Sequence, residues 1–234
     1  VQQAISLMVK NKASILPVVE NKLFIGIIQK KHLVQYELEE SKKKGSKNLF
    51  DNYERVIGNY HSNNDKTIVF VAGIHGNEKS GIIALKKVFK EIKETNIEIS
   101  GTIIGLIGNL NALSKNTRYI DNDMNRIWNQ KMMNMQLPRQ NSEHAELLIL
   151  NGLIEKIILL KKKNNISIID LHNTSSANGV FTIVNNKKEA KLTSHLKIPI
   201  INNLFSKVKG SLARYYNKRD VTSIVFEGGA IGDP

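Results

Sequence analysis

Two histidines follow or end apolar runs that read as buried strands. His75 comes just after one, in Val69-Phe-Val-Ala-Gly-Ile-His-Gly-Asn-Glu78. Ligands of open α/β sheets bind outside the carboxyl ends of strands. Glu78 lies three residues on, so a single turn brings both side chains to one point. Gly73 and Gly76 allow the tight backbone this needs. His172 ends another run, Ser167-Ile-Ile-Asp-Leu-His172. If the two strands are neighbours, His75, Glu78 and His172 converge. Two imidazoles and a carboxylate with an open fourth position form a catalytic zinc set, which acidifies water and polarises a carbonyl. A lone H-x-x-E arises by chance in many chains, however, and a strand-end histidine is often plain scaffold. His32, His61, His144 and His195 carry no comparable context. His32 belongs to the N-terminal unit, His61 to a turn, and His144 and His195 to helical stretches.

Three further groups can serve such a site. Asp170 is two residues before His172, so both point to one strand face. It can accept the second ring N–H of a zinc histidine, or it can be a buried aspartate capping a loop. Thr117-Arg-Tyr-Ile-Asp-Asn-Asp-Met-Asn-Arg-Ile-Trp128 places Arg118, Asn125 and Arg126 in one loop. Guanidinium forks suit carboxylates. The same arginines can instead pair with Asp121 and Asp123 at the surface. Glu227, in Ser223-Ile-Val-Phe-Glu-Gly-Gly229, follows an apolar strand and precedes two glycines. Beside activated water it can act as general base, then as acid to a leaving amine. Otherwise it is a glutamate at an ordinary turn.

The elements that must position these residues are legible as alternating patterns. Strands are expected over 54–60 and 67–73, a helix over 80–94 and a strand over 101–108. An irregular stretch covers 109–141. A helix capped by Asn141 or Ser142 reaches about residue 162. Residues 166–171 form a nearly all-apolar strand, as in a central sheet position. Strands at 180–184, 199–201 and 223–226 follow, with a short helix around 214–216. This alternation predicts an α/β domain with a mostly parallel or mixed sheet. Ahead of it, residues 1–38 read as helix–strand–strand–helix. A polar linker, 39–48, separates the two, so the domain boundary is drawn there and a second domain spans 49–234.

Composition narrows the classes. The 234 residues are 41% hydrophobic and 24% charged, as in a soluble globular protein. No stretch of about 18 residues lacks charge, so no transmembrane helix is expected. Cysteine is absent, which excludes disulfides and thiolate metal sites. No signal-peptide pattern opens the chain, and a cytoplasmic location is expected. The net charge is +13. The excess is mostly lysine, in runs such as Lys42-Lys43-Lys44 and Lys161-Lys162-Lys163, without interleaved aromatics. That pattern reads as a solvated face, not a nucleic-acid platform, though it can attract small anions. The first residue is Val1, and Pro234 closes no element, so the chain reads as a fragment at both ends.

Taken together, Gly73-Ile-His-Gly-Asn-Glu78, Gly108-Asn109, Arg118-Tyr-Ile-Asp121 with Asp123-Met-Asn-Arg126, Asp170-Leu-His-Asn-Thr-Ser-Ser176 and Phe226-Glu-Gly-Gly229 resemble the succinylglutamate desuccinylase/aspartoacylase family, a branch of the zinc carboxypeptidase-like enzymes. The motifs fall in family order over roughly residues 54–231. The resemblance implies a three-layer α/β fold with a mixed central sheet, C-terminally truncated here. It implies one zinc ion on His75, Glu78 and His172. Arg118 would polarise the scissile carbonyl, Asn125 and Arg126 would hold a substrate carboxylate, and Glu227 would activate the water. The implied reaction is hydrolysis of the amide of a small anionic N-acyl amino acid. Carboxypeptidase-like action on a peptide end is chemically close. A further substrate arginine is expected upstream of Glu227. Arg214 and Arg219 are candidates, and neither aligns cleanly.

The N-terminal unit resembles part of a CBS (cystathionine-β-synthase-type) motif, a small α+β fragment. Ala4-Ile-Ser-Leu-Met8, Ile15-Leu-Pro-Val-Val19 and Leu23-Phe-Ile-Gly-Ile-Ile28 carry the likeness. Gln29 and His32 replace that motif's hydroxyl residue and later aspartate. Such modules work in pairs, which points to a homodimer. A non-catalytic reading follows from this half: a regulatory module that senses a ligand, beside an α/β part that only binds a carboxylate.

Overall fold

The computed structural model describes residues 15–20, 23–29, 54–62, 64–135, 141–161, 165–174 and 179–232. The chain divides into two compact units, Val1–Tyr53 and Glu54–Pro234. In the first, β1 (Ile15–Glu20) and β2 (Leu23–Gln29) form an antiparallel hairpin with a register shift between Val18 and Val19. The two helices expected to flank this hairpin lie outside the described residues, as does the linker 39–48.

The second unit is α/β. Its elements in chain order are β3 (Val56–Tyr60), β4 (Thr67–Ala72), α1 (Ser80–Thr95), β5 (Thr102–Ile107), α2 (Leu110–Ser114), α3 (Gln130–Asn134), α4 (Ser142–Leu160), β6 (Ile166–Thr174), β7 (Val180–Val184), α5 (Lys187–Thr193), β8 (Ile200–Asn202), α6 (Leu212–Asn217) and β9 (Thr222–Ala230). The seven strands form one sheet in the order β3-β5-β4-β6-β9-β7-β8. Strands β5, β4, β6 and β9 are parallel, and the antiparallel β3 and β7 make the sheet mixed.

The order reverses at β4. The chain leaves β4 for β5 on one side and returns to β6 on the other. Such a reversal opens a crevice beyond the strand ends, where ligands of this architecture sit. Right-handed crossovers in opposite directions also place helices on opposite faces. Helix α1 buries Ile82 and Leu85 against Ala72, with Phe70, Ile107 and Leu171 beside them. Helix α6 lies on the other face, where Ala213 packs with Ile183, Val225 and Phe205. The Tyr216 hydroxyl donates to Asn151 Oδ1 at 2.9 Å, which ties α6 to α4. Asp170 and Val225 are register partners, so Asp170 belongs to the α6 face. His172 and Glu227, two residues on in each strand, share that face.

Strands β6 and β9 run past the apolar stretches that predicted them. His172 and Glu227 are therefore ladder positions, not the first residues of loops. The stretch 109–141, expected to be irregular, contains α2, α3 and a 3-10 turn over Met124–Arg126. Asparagines start its helices: Asn109 Oδ1 accepts Ala112 N–H and Asn129 Oδ1 accepts Met132 N–H, both at 3.0 Å. A pattern search for apolar periodicity passes over helices only five residues long. Asn141 caps α4 through His144 N–H at 2.8 Å. Among the described residues no helix is long and apolar enough to cross a membrane.

Candidate active site

The turn after β4 owes its shape to two glycines, for different reasons. Gly73 adopts φ +71°, where a side chain is strained. Gly76 needs space: a Cβ there would lie 2.1 Å from the Ala112 carbonyl carbon. Its N–H donates to Arg118 O at 3.2 Å, so the turn binds the following loop directly. Glu78 N–H closes back on His75 O at 3.1 Å.

This turn aims His75 and Glu78 at the end of β6. His75 Nδ1 lies 2.8 Å from Glu78 Oε1, and His172 Nδ1 lies 2.9 Å from Glu78 Oε2. The backbone N–H of Asn173 donates to Glu78 Oε2 at 3.1 Å. All three side chains are buried, and one ligand atom from each fits within 4.8 Å of the others. The other nitrogen of each ring meets another carboxylate. His75 Nε2 is 3.0 Å from Asp123 Oδ1, and His172 Nε2 is 3.1 Å from Asp170 Oδ2. Asp170 is fully buried, and neither oxygen has a well-aligned hydrogen bond. Asp170 thus lies behind His172, on the strand face that their spacing gives both.

Arg118 spans the rim of the cluster, donating to Glu78 Oε1 at 3.3 Å and to Asp123 Oδ2 at 3.2 Å. Its side chain remains 40% exposed, so it faces both the cluster and solvent. Asn125 is buried deeper than a loop residue need be. Its Oδ1 accepts Leu212 N–H at 3.0 Å, at the start of α6, and its Nδ2 lies 3.3 Å from His172 Nε2. Arg126 is exposed and donates to the carbonyl of Asn125 at 2.8 Å. Glu227 is half-buried on β9, the register partner of His172 in a parallel ladder.

Electrostatics agree with a cation-seeking centre. Burial opposes ionisation of Glu78, but hydrogen bonds and charge from His172 and His75 outweigh it and hold the carboxyl well below its ordinary range. Asp123 is held low despite burial, chiefly by His75. Burial disfavours the His172 imidazolium, yet Asp170 and Glu78 raise its pKa well above the usual value. Glu227 moves the other way. Burial raises its pKa, His172 opposes this, and Glu78 and Asp170 add to the rise. Three carboxylates around two imidazoles, with both Nδ1 atoms on one carboxylate, fit a divalent cation of zinc type.

Spacing identified the three candidate ligands and Asp170. It missed three supporting residues. Spacing gives Asp123 no role beyond a motif position and pairing with an arginine, Asn173 stands only inside a motif, and Glu143 carries no local signal. Only contacts distant in sequence reveal them. Arg214 donates to the carbonyl of Phe205 and Arg219 pairs with Glu155.

Residues 64–230 match the model of the succinylglutamate desuccinylase/aspartoacylase catalytic domain. The chain is 32% identical over 87 residues to a succinylglutamate desuccinylase of Photorhabdus laumondii, covering 37% of this chain and 27% of that protein. It is 30% identical over 127 residues to a probable aspartoacylase of Acaryochloris marina, covering 54% of this chain and 41% of that protein. The chain thus spans less than half the length of these curated relatives. Among solved structures, a succinylglutamate desuccinylase from Vibrio cholerae aligns with TM-score 0.61 at 16% identity, over 71% of this chain and 50% of that one. Murine aminoacylase 3 aligns with TM-score 0.54 at 20% identity, over 74% of this chain and 58% of that one. These structures share the fold. The family match covers most of the chain in a single run that includes every residue of the cluster, and the chain belongs to the succinylglutamate desuccinylase/aspartoacylase family.

Proposed function

We propose that the second unit is a zinc-dependent hydrolase that cleaves the amide of a small N-acyl amino acid. One observation carries the reading: His75, Glu78 and His172 meet at the topological switch point, with Glu227 on the adjoining strand in register with His172. His75, Glu78 and His172 would hold the zinc, which would supply Lewis acidity to polarise a carbonyl and acidify water. Glu227 takes the proton of the attacking water and returns it to the leaving amine. Its raised pKa suits both steps. Arg118, at the rim and half-exposed, donates to the developing oxyanion. Arg126 offers its exposed guanidinium to the substrate carboxylate, and Asn125 sets the position of that loop against His172 and α6.

Glu227→Gln tests the assignment of the base. Turnover of an N-acyl amino acid panel should fall by about 10²–10⁴-fold, with zinc content unchanged. A variant of full activity would remove Glu227 from the mechanism.

A further inference from the structure

The loop over 117–126 brings Arg118, Asp123 and Asn125 to the site, yet the 3-10 turn over Met124–Arg126 is its only regular element. Its shape is imposed from outside. Glu143, in the first turn of α4, is fully buried beneath it. Glu143 Oε1 accepts Ile120 N–H at 2.8 Å and the Asn109 side-chain amide at 3.2 Å. Glu143 Oε2 accepts Asp121 N–H at 2.9 Å and Asn122 N–H at 3.1 Å. Three consecutive backbone donors thus converge on one carboxylate. Asp121 Oδ2 answers by accepting Ser142 N–H at 2.7 Å. On its other side the loop is held by Gly76 N–H to Arg118 O. The loop is therefore pinned between α4 and the turn that carries His75.

We propose that Glu143 is a positioning residue for the site: its carboxylate fixes the 117–126 loop so that Asp123 meets His75 and Arg118 meets Glu78. Its effect on turnover rests on the hydrolase reading above; its effect on the loop and on metal binding does not. A charged acceptor is needed here. Glutamine offers one oxygen, and its NH₂ would face N–H donors, leaving buried amides unpaired. Aspartate keeps the charge but is one methylene shorter. A merely structural role would lower global stability and leave loop order and metal affinity unchanged.

The test compares Glu143→Gln with Glu155→Gln in the whole chain. Glu155 lies further along the same helix and pairs with Arg219. Amide hydrogen exchange is followed without metal, and the dissociation constant for Co²⁺ or Zn²⁺ is measured by chelator competition. In Glu143→Gln, exchange at 120–122 should accelerate by about tenfold or more. Metal affinity should fall by about tenfold or more, because Asp123 orients His75. Where the wild type hydrolyses an N-acyl amino acid, kcat should drop more than KM rises, since Arg118 acts on the oxyanion. Wild-type exchange and affinity in Glu143→Gln, or changes matched by Glu155→Gln, overturn the proposal. If Glu143→Gln does not fold, Glu143→Asp replaces it. A partial rise in loop exchange with weakened metal binding supports the role, and wild-type behaviour overturns it. A wild-type chain that binds zinc but hydrolyses nothing in the panel refutes the hydrolase reading, while the exchange and affinity readouts still decide Glu143.

Discussion

The rings of His75 and His172 lie 5.1 Å apart, and each turns the same nitrogen, Nδ1, toward a different oxygen of Glu78. Their Nε2 atoms point to Asp123 and Asp170. The centre therefore has two tiers, a bridging carboxylate inside and one carboxylate behind each ring. The tiers should differ in cost. Asp123→Asn and Asp170→Asn should each weaken zinc binding by about 10–100-fold. Glu78→Gln should weaken it further, because it removes a ligand and not a ligand's support. Chelator competition on the three variants checks the ranking; equal losses would contradict it.

The raised pKa of Glu227 sets an expectation for the pH–rate profile. Burial is the main cause, with Glu78 and Asp170 adding to it against His172. A general base must be ionised, so kcat/KM should fall on the acid side as Glu227 takes up its proton, with burial working to move that limb upward. Glu227→Asp should keep an acid limb at lower activity, and Glu227→Gln should lose it. A limb of unchanged position in the glutamine variant would assign that titration to another group.

Glu143 should also write itself into the acid stability of the fold. Burial alone would raise its pKa, but the N–H groups of Ile120, Asp121 and Asn122, with Asn109, hold it below the ordinary 4.5. Its ionised form thus favours the folded state. That stabilisation is fully present above the unfolded pKa and is lost as pH falls through the lower, folded value. Glu143→Gln should lower Tm at pH 7 and flatten the decline below about pH 4.5. Parallel Tm–pH curves for wild type and variant would contradict the assignment.

Gly76→Ala should damage the site through backbone contact alone. The added methyl would meet the Ala112–Leu113 peptide at 2.1–2.3 Å, and neither side is a flexible side-chain end. Overpacking of this kind costs about 1–3 kcal/mol. It should also break the Gly76–Arg118 link and displace His75. Thermal unfolding and metal affinity measured together check this, and a variant impaired in neither would show that the turn can yield.

Much of this was legible beforehand, for identifiable reasons. His75, Glu78 and His172 were visible because a short turn and an apolar strand place them by local spacing. Asp170 followed from the two-residue strand period. The reversal of strand order at β4 was not legible, since strand neighbours depend on pairing across long sequence separations. Asp123 and Glu143 were missed for the same reason: Glu143 meets its loop 21–23 residues away and Asp123 meets His75 48 residues away. Asn125, expected to face substrate, accepts Leu212 N–H on its Oδ1 and sets its Nδ2 3.3 Å from His172 Nε2, contacts that its residue type does not reveal.

The most direct test of the central claim is zinc content per chain, wild type against His172→Ala, with N-acyl amino acid hydrolysis measured on both proteins. About one zinc in the wild type, lost together with activity in the variant, is the predicted result. No zinc in either protein, or equal zinc and activity in both, would contradict it and reduce the His75–Glu78–His172 cluster to scaffold.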